Sequence, residues 1–205
     1  MKTFAVIPVK SLQNAKTRLA SVLSPGERAE LVQEMLLHVV DALYRSGSIE
    51  QIGVISEKPD EITLPPYVTV IRQTEAGLNN LLEQGREWAI DNHADALLTI
   101  FADLPMVSPD DISRMVSMGE LTNTVTLAPD RHHCGTNALL SHPVTLARFA
   151  FGPSSLDAHI ALAQAAGADV HLFEVPGLSL DIDTLDDLAS LDALRNSTAM
   201  EYAFS

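Results

Sequence analysis

Residues 96–101, Ala-Leu-Leu-Thr-Ile-Phe, are the most continuous apolar run in the chain and lack the polar–apolar alternation of a half-solvated strand. A strand of this kind must be covered on both faces, which places it near the centre of a parallel sheet. Thr3–Val9 has the same character and is bounded by Pro8 and Lys10. Two doubly buried strands need helices on either side of them, and the rest of the chain supplies helical segments between apolar runs.

Ser24-Pro25-Gly26-Glu27 combines an N-cap serine, a proline at the first helical position and a glutamate placed to close a capping box. Leu31, Met35, Leu36, Val39, Val40 and Leu43 then recur at helical spacing to about Tyr44. Strands are predicted at Ile49–Ser56 and Val68–Arg72, and a helix through Leu78, Leu81, Leu82 and Trp88. Ser108-Pro109-Asp110-Asp111 repeats the serine–proline start signal for a helix to about Met118. Further strands are predicted near Thr124–Leu127, Asn137–Leu140, Val170–Val175 and Leu178–Ile182. Helices are predicted over Leu156–Ala166 and Thr184–Leu194, leaving Asn196–Ser205 as a tail that frays or docks on a partner chain. The pattern is that of a single α/β domain over residues 1–205, a three-layer α/β/α stack around a mostly parallel central sheet. In such folds ligands sit beyond the carboxyl ends of the strands.

The composition narrows the partners. Hydrophobic residues are 46% of the 205 and charged residues 20%, which supports a packed core and excludes wholesale disorder. The formal net charge is −14, which disfavours nucleic acid and anionic membranes, whose charge it repels. No apolar run approaches the ~18 residues of a membrane span, and the apolar N-terminal stretch is too short for a secretory leader, so a cytoplasmic protein is expected. Cys134 is the only cysteine, which excludes an internal disulfide and a multi-thiolate metal site.

Three constellations carry possible chemistry. Pro8-Val9-Lys10 and Lys16-Thr17-Arg18-Leu19 follow the first strand and gather three cations in a chain that is otherwise acidic. That suits phosphates, with lysine as a compact charge and arginine as a bidentate fork; a solvated basic loop is the alternative. Neither a P-loop nor a dinucleotide-binding glycine motif is present. Asp103, in Phe101-Ala102-Asp103-Leu104-Pro105, lies just past the most buried strand. A carboxylate there is either paired or metal-bound, or it forms a turn by accepting from nearby backbone N–H groups. In Asp181-Ile182-Asp183 the two carboxylates, two residues apart in extended chain, point to one face and suit a hard cation such as Mg2+. Asp183 has a second reading as the cap of the helix that follows, and Asp186 and Asp187 fit that helix's first turn. His132-His133-Cys134 reads as a flexible substrate loop, and Gly135-Thr136-Asn137 and Gly152-Pro153-Ser154-Ser155 have the N–H and hydroxyl groups an anion needs.

Taken in order, Ile7-Pro8-Val9-Lys10, Lys16-Thr17-Arg18-Leu19, Gly77-Leu78-Asn79, Ala102-Asp103-Leu104-Pro105, Gly135-Thr136-Asn137 and Ser179-Leu180-Asp181-Ile182-Asp183-Thr184 resemble the 2-phospho-L-lactate guanylyltransferase family. The resemblance spans roughly residues 3–194. It implies the nucleotide-diphospho-sugar-transferase-like fold, also described as GT-A-like or molybdopterin-guanylyltransferase-like. The broader fold usually carries a glycine-rich first loop, where this chain has Pro-Val-Lys, in agreement with the narrower family.

What the resemblance implies is transfer of GMP from GTP to 2-phospho-L-lactate, giving lactyl-2-diphospho-5′-guanosine and pyrophosphate, a step in making the deazaflavin coenzyme F420. By the same resemblance Asp103, Asp181 and Asp183 would hold Mg2+, and Thr136, Gly152 and Ser155 would bind the phosphorylated three-carbon acid. Pro8, Val9, Lys10 and Lys16 would bind the nucleotide with Gly77, Leu78 and Asn79 near its guanine. Lys10, Lys16, Arg18 and Asp103 would be the catalytic set, with no general base, since the attacking phosphate is already ionised. A homodimer is compatible with the unexplained tail. The alternatives are a relative that uses phosphoenolpyruvate, 3-phosphoglycerate, a sugar phosphate or a molybdopterin as acceptor, and a nucleotide-binding regulator without turnover.

Overall fold

In the computed structural model, which describes residues 1–12 and 15–191, the seven strands form one sheet in the order β3-β2-β1-β4-β6-β5-β7. The strands are β1 (Thr3–Val9), β2 (Gln51–Ser56), β3 (Val68–Arg72), β4 (Ala96–Ile100), β5 (Thr124–Pro129), β6 (Thr136–His142) and β7 (Asp169–Leu172). The helices are α1 (Pro25–Arg45), α2 (Leu78–Asp91), α3 (Pro109–Met118), α4 (Ser155–Ala165) and the one-turn α5 (Pro176–Ser179), followed by helical residues 185–191.

β1 and β4 lie side by side at the middle of the sheet, as their unbroken apolar character requires. Along β1, Ala5, Ile7 and Val9 face one core, whereas Phe4 and Val6 face the other. The first core is closed by α1 and α3, through residues such as Leu36, Val39 and Ile112, and the second by α2 and α4, through Leu82 and Leu156. Side chains such as Phe4, Ile7 and Leu98 are fully buried, each contributing roughly 1.5–3 kcal/mol of transfer free energy. The α1 start is the capping box that Ser24 and Glu27 encode: Ser24 Oγ accepts from the Glu27 N–H at 3.3 Å, and Glu27 Oε2 accepts from the Ser24 N–H at 2.8 Å.

The sheet is mostly parallel, as expected, with one reversed strand, and one segment departs from the sequence expectation. β6 runs antiparallel to both β4 and β5, because the residues joining β5 to β6 are too few for a crossover and form a hairpin. This reversal sets the amino end of β6 beside the carboxyl end of β4: Ala138 pairs with Ile100, and the Phe101 N–H donates to the Asn137 carbonyl at 3.1 Å. The segment Leu178–Ile182, expected as a strand, is instead the end of α5 and an irregular stretch. Pro176 starts that turn in place of a strand, since proline cannot donate to a ladder and suits the first helical position. The helix expected over Thr184–Leu194 is present as residues 185–191; its last residues and the tail Asn196–Ser205 lie outside the described residues. Among the described residues no helix is long and apolar enough to cross a membrane.

Candidate active site

The carboxyl ends of β1 and β4, the amino end of β6 and the stretch after α5 converge on one rim of the sheet. There one carboxylate oxygen from each of Asp103, Asp181 and Asp183 lies within 4.8 Å of the others. Asp103 follows β4. Asp181 and Asp183 come from the irregular stretch, yet they alternate with Ile182, which is fully buried in the core. The two-residue spacing therefore works without a strand: an extended segment with one anchored apolar residue turns its neighbours to the opposite side. The Ile182 N–H donates to the Asp103 carbonyl at 3.2 Å and so locks the two acidic segments together.

Both competing explanations of these acids fall away. The carboxylate of Asp103 accepts from Lys16 Nζ at 2.5 Å, so it is a paired acid and not a turn former. Asp183 does not cap the last helix. Asp187 Oδ2 accepts from the Asp183 N–H at 2.8 Å and the Thr184 N–H at 2.6 Å, and the Asp187 N–H donates back to Thr184 Oγ1. Asp187 is also paired with Arg131. Burial raises the Asp187 carboxyl, but these N–H donors, the Thr184 hydroxyl and Arg131 outweigh it and hold the group below the usual carboxylate range. With capping done by Thr184 and Asp187, the Asp183 side chain is left to face Lys16 Nζ at 2.8 Å and Arg18 Nη1 at 3.7 Å.

The cationic loop after β1 is itself held in place. Ser11 Oγ and the Leu12 N–H donate to Glu61 Oε2 at 2.9 and 3.2 Å. The buried Arg28 of α1 donates through Nε to the Ala15 carbonyl at 3.2 Å and through Nη1 to the Leu23 carbonyl at 2.9 Å. Lys16 sits at φ +51°, a left-handed conformation that a non-glycine residue adopts only under such restraint. Burial alone would lower the Lys16 ammonium, but Asp103 and Asp183 raise it above its ordinary value. Lys16 is thus a fixed positive charge against two of the three acids. Asp181, whose Oδ1 is 3.4 Å from Asn137 Nδ2, has no ion-pair partner among the described residues. Burial, then repulsion from Asp103, pushes its carboxyl up.

The acids stand between two cavities. The larger, about 630 Å3, is lined by Pro8, Val9, Lys10, Lys16, Gly77 and Asp183, with Glu57 and Gln73 on its wall. The smaller, about 220 Å3, is lined by Asp130, Thr136, Asn137, Gly152, Ser155 and Asp181. Leu78, Phe101 and Asp103 line both. An all-oxygen donor set at this junction fits a hard divalent cation, because three clustered carboxylates are short of positive charge and Asp181 has no cation of its own.

The sequence candidates sort as follows. Pro8, Val9, Lys10, Lys16, Gly77 and Leu78 line the larger cavity, and Thr136, Gly152 and Ser155 the smaller one. Gly77 (φ +99°) and Gly152 (φ +151°) hold backbone conformations that favour glycine. Arg18 lies outside both linings, exposed beside Asp183. Asn79 is not in the lining of the larger cavity. Its Oδ1 accepts from the Phe151 N–H at 2.8 Å and its Nδ2 donates to the Phe151 carbonyl at 3.1 Å, so it clamps the loop before Gly152. His132-His133-Cys134 is exposed between Asp130 and Gly135, which line the smaller cavity, and wraps the Asp130 carboxylate, which accepts from the His132 and Cys134 N–H groups at 3.1 and 2.9 Å. Sequence reasoning missed Glu57 and Gln73, although each directly follows a strand and the strand-end rule applied to β2 and β3 would have found them. It also missed His159, four residues after Ser155 on α4 and therefore on the same helical face.

The family described as "Guanylyl transferase CofC like" matches residues 3–202. The chain is 38% identical to a phosphoenolpyruvate guanylyltransferase of Rubrobacter xylanophilus over 94% of its own length and 95% of the relative's. It is 40% identical to a protein of the same name from a Roseiflexus species, over 98% and 90% of the two chains. It is 32% identical to the 2-phospho-L-lactate guanylyltransferase of Methanothermobacter thermautotrophicus, again over 98% and 90%. Among solved structures, a "putative nucleotide-diphospho-sugar transferase" from Desulfovibrio desulfuricans superposes with a TM-score of 0.77 at 15% identity, covering 93% of this chain and 87% of that one. A nucleotidyl transferase of Methanothermobacter thermautotrophicus superposes at 0.67 with 18% identity, covering 96% and 99%. The fold is thus that of the nucleotide-diphospho-sugar transferases, and the chain belongs to the CofC-like guanylyl transferase family, a family of nucleotidyltransferases.

Proposed function

We propose that this protein transfers GMP from GTP to a phosphorylated three-carbon acid with release of pyrophosphate. The observation that carries the reading is the carboxylate cluster at the junction of a large and a small cavity. A phosphate oxygen of the acceptor attacks the α-phosphorus of GTP. A new P–O–P bond forms, the α–β bridge breaks, and the electron pair leaves on pyrophosphate. Two polyanions must meet: at about 5 Å and an effective dielectric of about 20, each pair of unit charges repels by roughly 3 kcal/mol. Mg2+ on Asp103, Asp181 and Asp183 supplies charge neutralisation and Lewis acidity when bound. Lys10 and Lys16 stand in the larger cavity, where they meet the triphosphate, and Arg18 at the rim adds to the positive field as pyrophosphate departs. The Glu57 carboxylate on the same wall matches the N1–H and 2-amino donors of guanine.

The acceptor implied by the sequence resemblance is 2-phospho-L-lactate. Phosphoenolpyruvate is a second reading, favoured by the names of the relatives at 38% and 40% identity. By the resemblance, the phospholactate product is a precursor of the deazaflavin coenzyme. Purified protein incubated with GTP, Mg2+ and each of phospholactate, phosphoenolpyruvate and 3-phosphoglycerate decides this by mass spectrometry of the product and by pyrophosphate release. One acid should give a guanylylated product only when GTP and Mg2+ are both present. GTP binding without product in any mixture would overturn the reading in favour of a regulator, and product from a sugar phosphate alone would move the acceptor class.

A further inference from the structure

His159 is nearly fully buried at 2% exposure and lies outside the lining of both cavities. Its Nδ1 is 3.0 Å from Thr136 Oγ1, and its Nε2 is 3.0 Å from the backbone N–H of Ala150. A backbone N–H only donates, so Nε2 must be the unprotonated, accepting nitrogen. The ring proton of neutral imidazole then resides on Nδ1, and Nδ1–H donates to Thr136 Oγ1. Among the described residues no ionised partner faces the ring, burial brings its pKa down to about 4, and the Phe151 ring packs against it with centroids 4.5 Å apart. The neutral form with one tautomer is therefore the resident state at neutral pH.

The tautomer has a consequence for the smaller cavity. One lone pair of Thr136 Oγ1 is occupied by His159, so its hydrogen is free to point at a ligand. The neighbouring Ser155 is arranged alike: its Oγ accepts from the Thr136 N–H at 3.0 Å, which leaves its own hydrogen to donate. Both residues line a cavity whose charged lining residues are Asp103, Asp130 and Asp181, with no Lys or Arg among the described lining residues. We propose that His159 is a positioning residue for acceptor binding, fixing the Thr136 hydroxyl as a hydrogen-bond donor to an anionic group of the acceptor acid. The proposal rests on the guanylyltransferase reading for the identity of that acid, while the tautomer itself does not.

Two isosteres separate the roles of the ring nitrogens. In His159→Asn the side-chain amide lies near the Nδ1 position and keeps a donor on Thr136. In His159→Gln the amide lies near Nε2 and keeps the contact to Ala150 but loses the donor to Thr136. Binding of phosphoenolpyruvate and of phospholactate is measured by calorimetry with Mg2+ present, alongside steady-state KM and kcat. For His159→Gln the acid should bind roughly tenfold more weakly, with GTP KM within twofold of wild type, and His159→Asn should stay near wild type. In a Thr136→Val background, His159→Gln should cause no further loss. 15N spectra of histidine-labelled wild type should show His159 as the Nδ1–H tautomer, whether or not any acid turns over. An Nε2–H tautomer, equal losses in the two variants, or additive losses with Thr136→Val would overturn the proposal. If no acid gives product but an acid binds with this pattern, the transferase reading falls and the positioning role stands; if neither acid binds wild type, both fall.

Discussion

The two cavities meet at Asp103 but differ in whether cations stand among their acids. The larger has Lys10 and Lys16 on its wall, and the loop that carries them is pinned by Glu61 and Arg28. The smaller has three aspartates and, among its described lining residues, no fixed cation; its donors are the neutral groups of Thr136, Asn137 and Ser155. A triphosphate carries more charge than hydroxyls can balance, so it needs cations built into the chain. A small acid can be held by neutral donors once the carboxylates beside it are themselves neutralised by a divalent ion. The difference makes one side dependent on lysine and the other on the state of the acidic cluster.

The strongest way to break this division is at the charged residue both cavities share. Asp103→Asn should lower kcat by about 10³-fold, with Tm within a few degrees of wild type because the change is isosteric and partly exposed. Near-normal turnover would remove Asp103 from the chemistry. A second test follows from His159, which burial holds at about 4 against an ordinary 6.5. Above pH 6.5 both folded and unfolded chains carry it neutral and its contribution to stability is intact. As the pH falls from 6.5 towards 4 the unfolded chain takes up the proton first, so stability declines by up to about 3 kcal/mol. Denaturant unfolding across that range should show the loss in wild type and its absence in His159→Gln. Parallel profiles would sink the expectation.

On the other side of the junction, Lys16→Ala should weaken GTP binding by roughly thirtyfold, and added salt should not restore it, since a buried charge is not replaced by screening ions. Calorimetry with GTP checks this, and an unchanged affinity would exclude the role. The smallest effect belongs to Ser155→Ala, expected to raise the acceptor KM by about fivefold while GTP KM stays the same. A matching rise in GTP KM would mean that the two cavities are not separate in function.

Much of this arrangement was legible before any coordinates. The capping residues Ser24 and Glu27, the doubly apolar strands β1 and β4, and the acids Asp103, Asp181 and Asp183 declare themselves because each depends on local spacing or on the cost of burying charge. Leu178–Ile182 misled because an apolar run with a proline before it satisfies a strand pattern and a helical turn equally well. The closure of the Asn79 amide on Phe151 was not legible, because nothing local to Gly77 encodes a contact so far along the chain.

Chain order alone determined most element types, the two-sided core and the acidic and basic side chains available at the sheet's rim, since these follow from periodicity and composition within a few residues. Only the tertiary structure decided that Asp187 and not Asp183 would serve the helix, and that a histidine on α4 would set the hydrogen of a threonine on β6. Those outcomes depend on which distant groups compete for the same donor or acceptor, and that competition exists only once packing has brought them within hydrogen-bond reach.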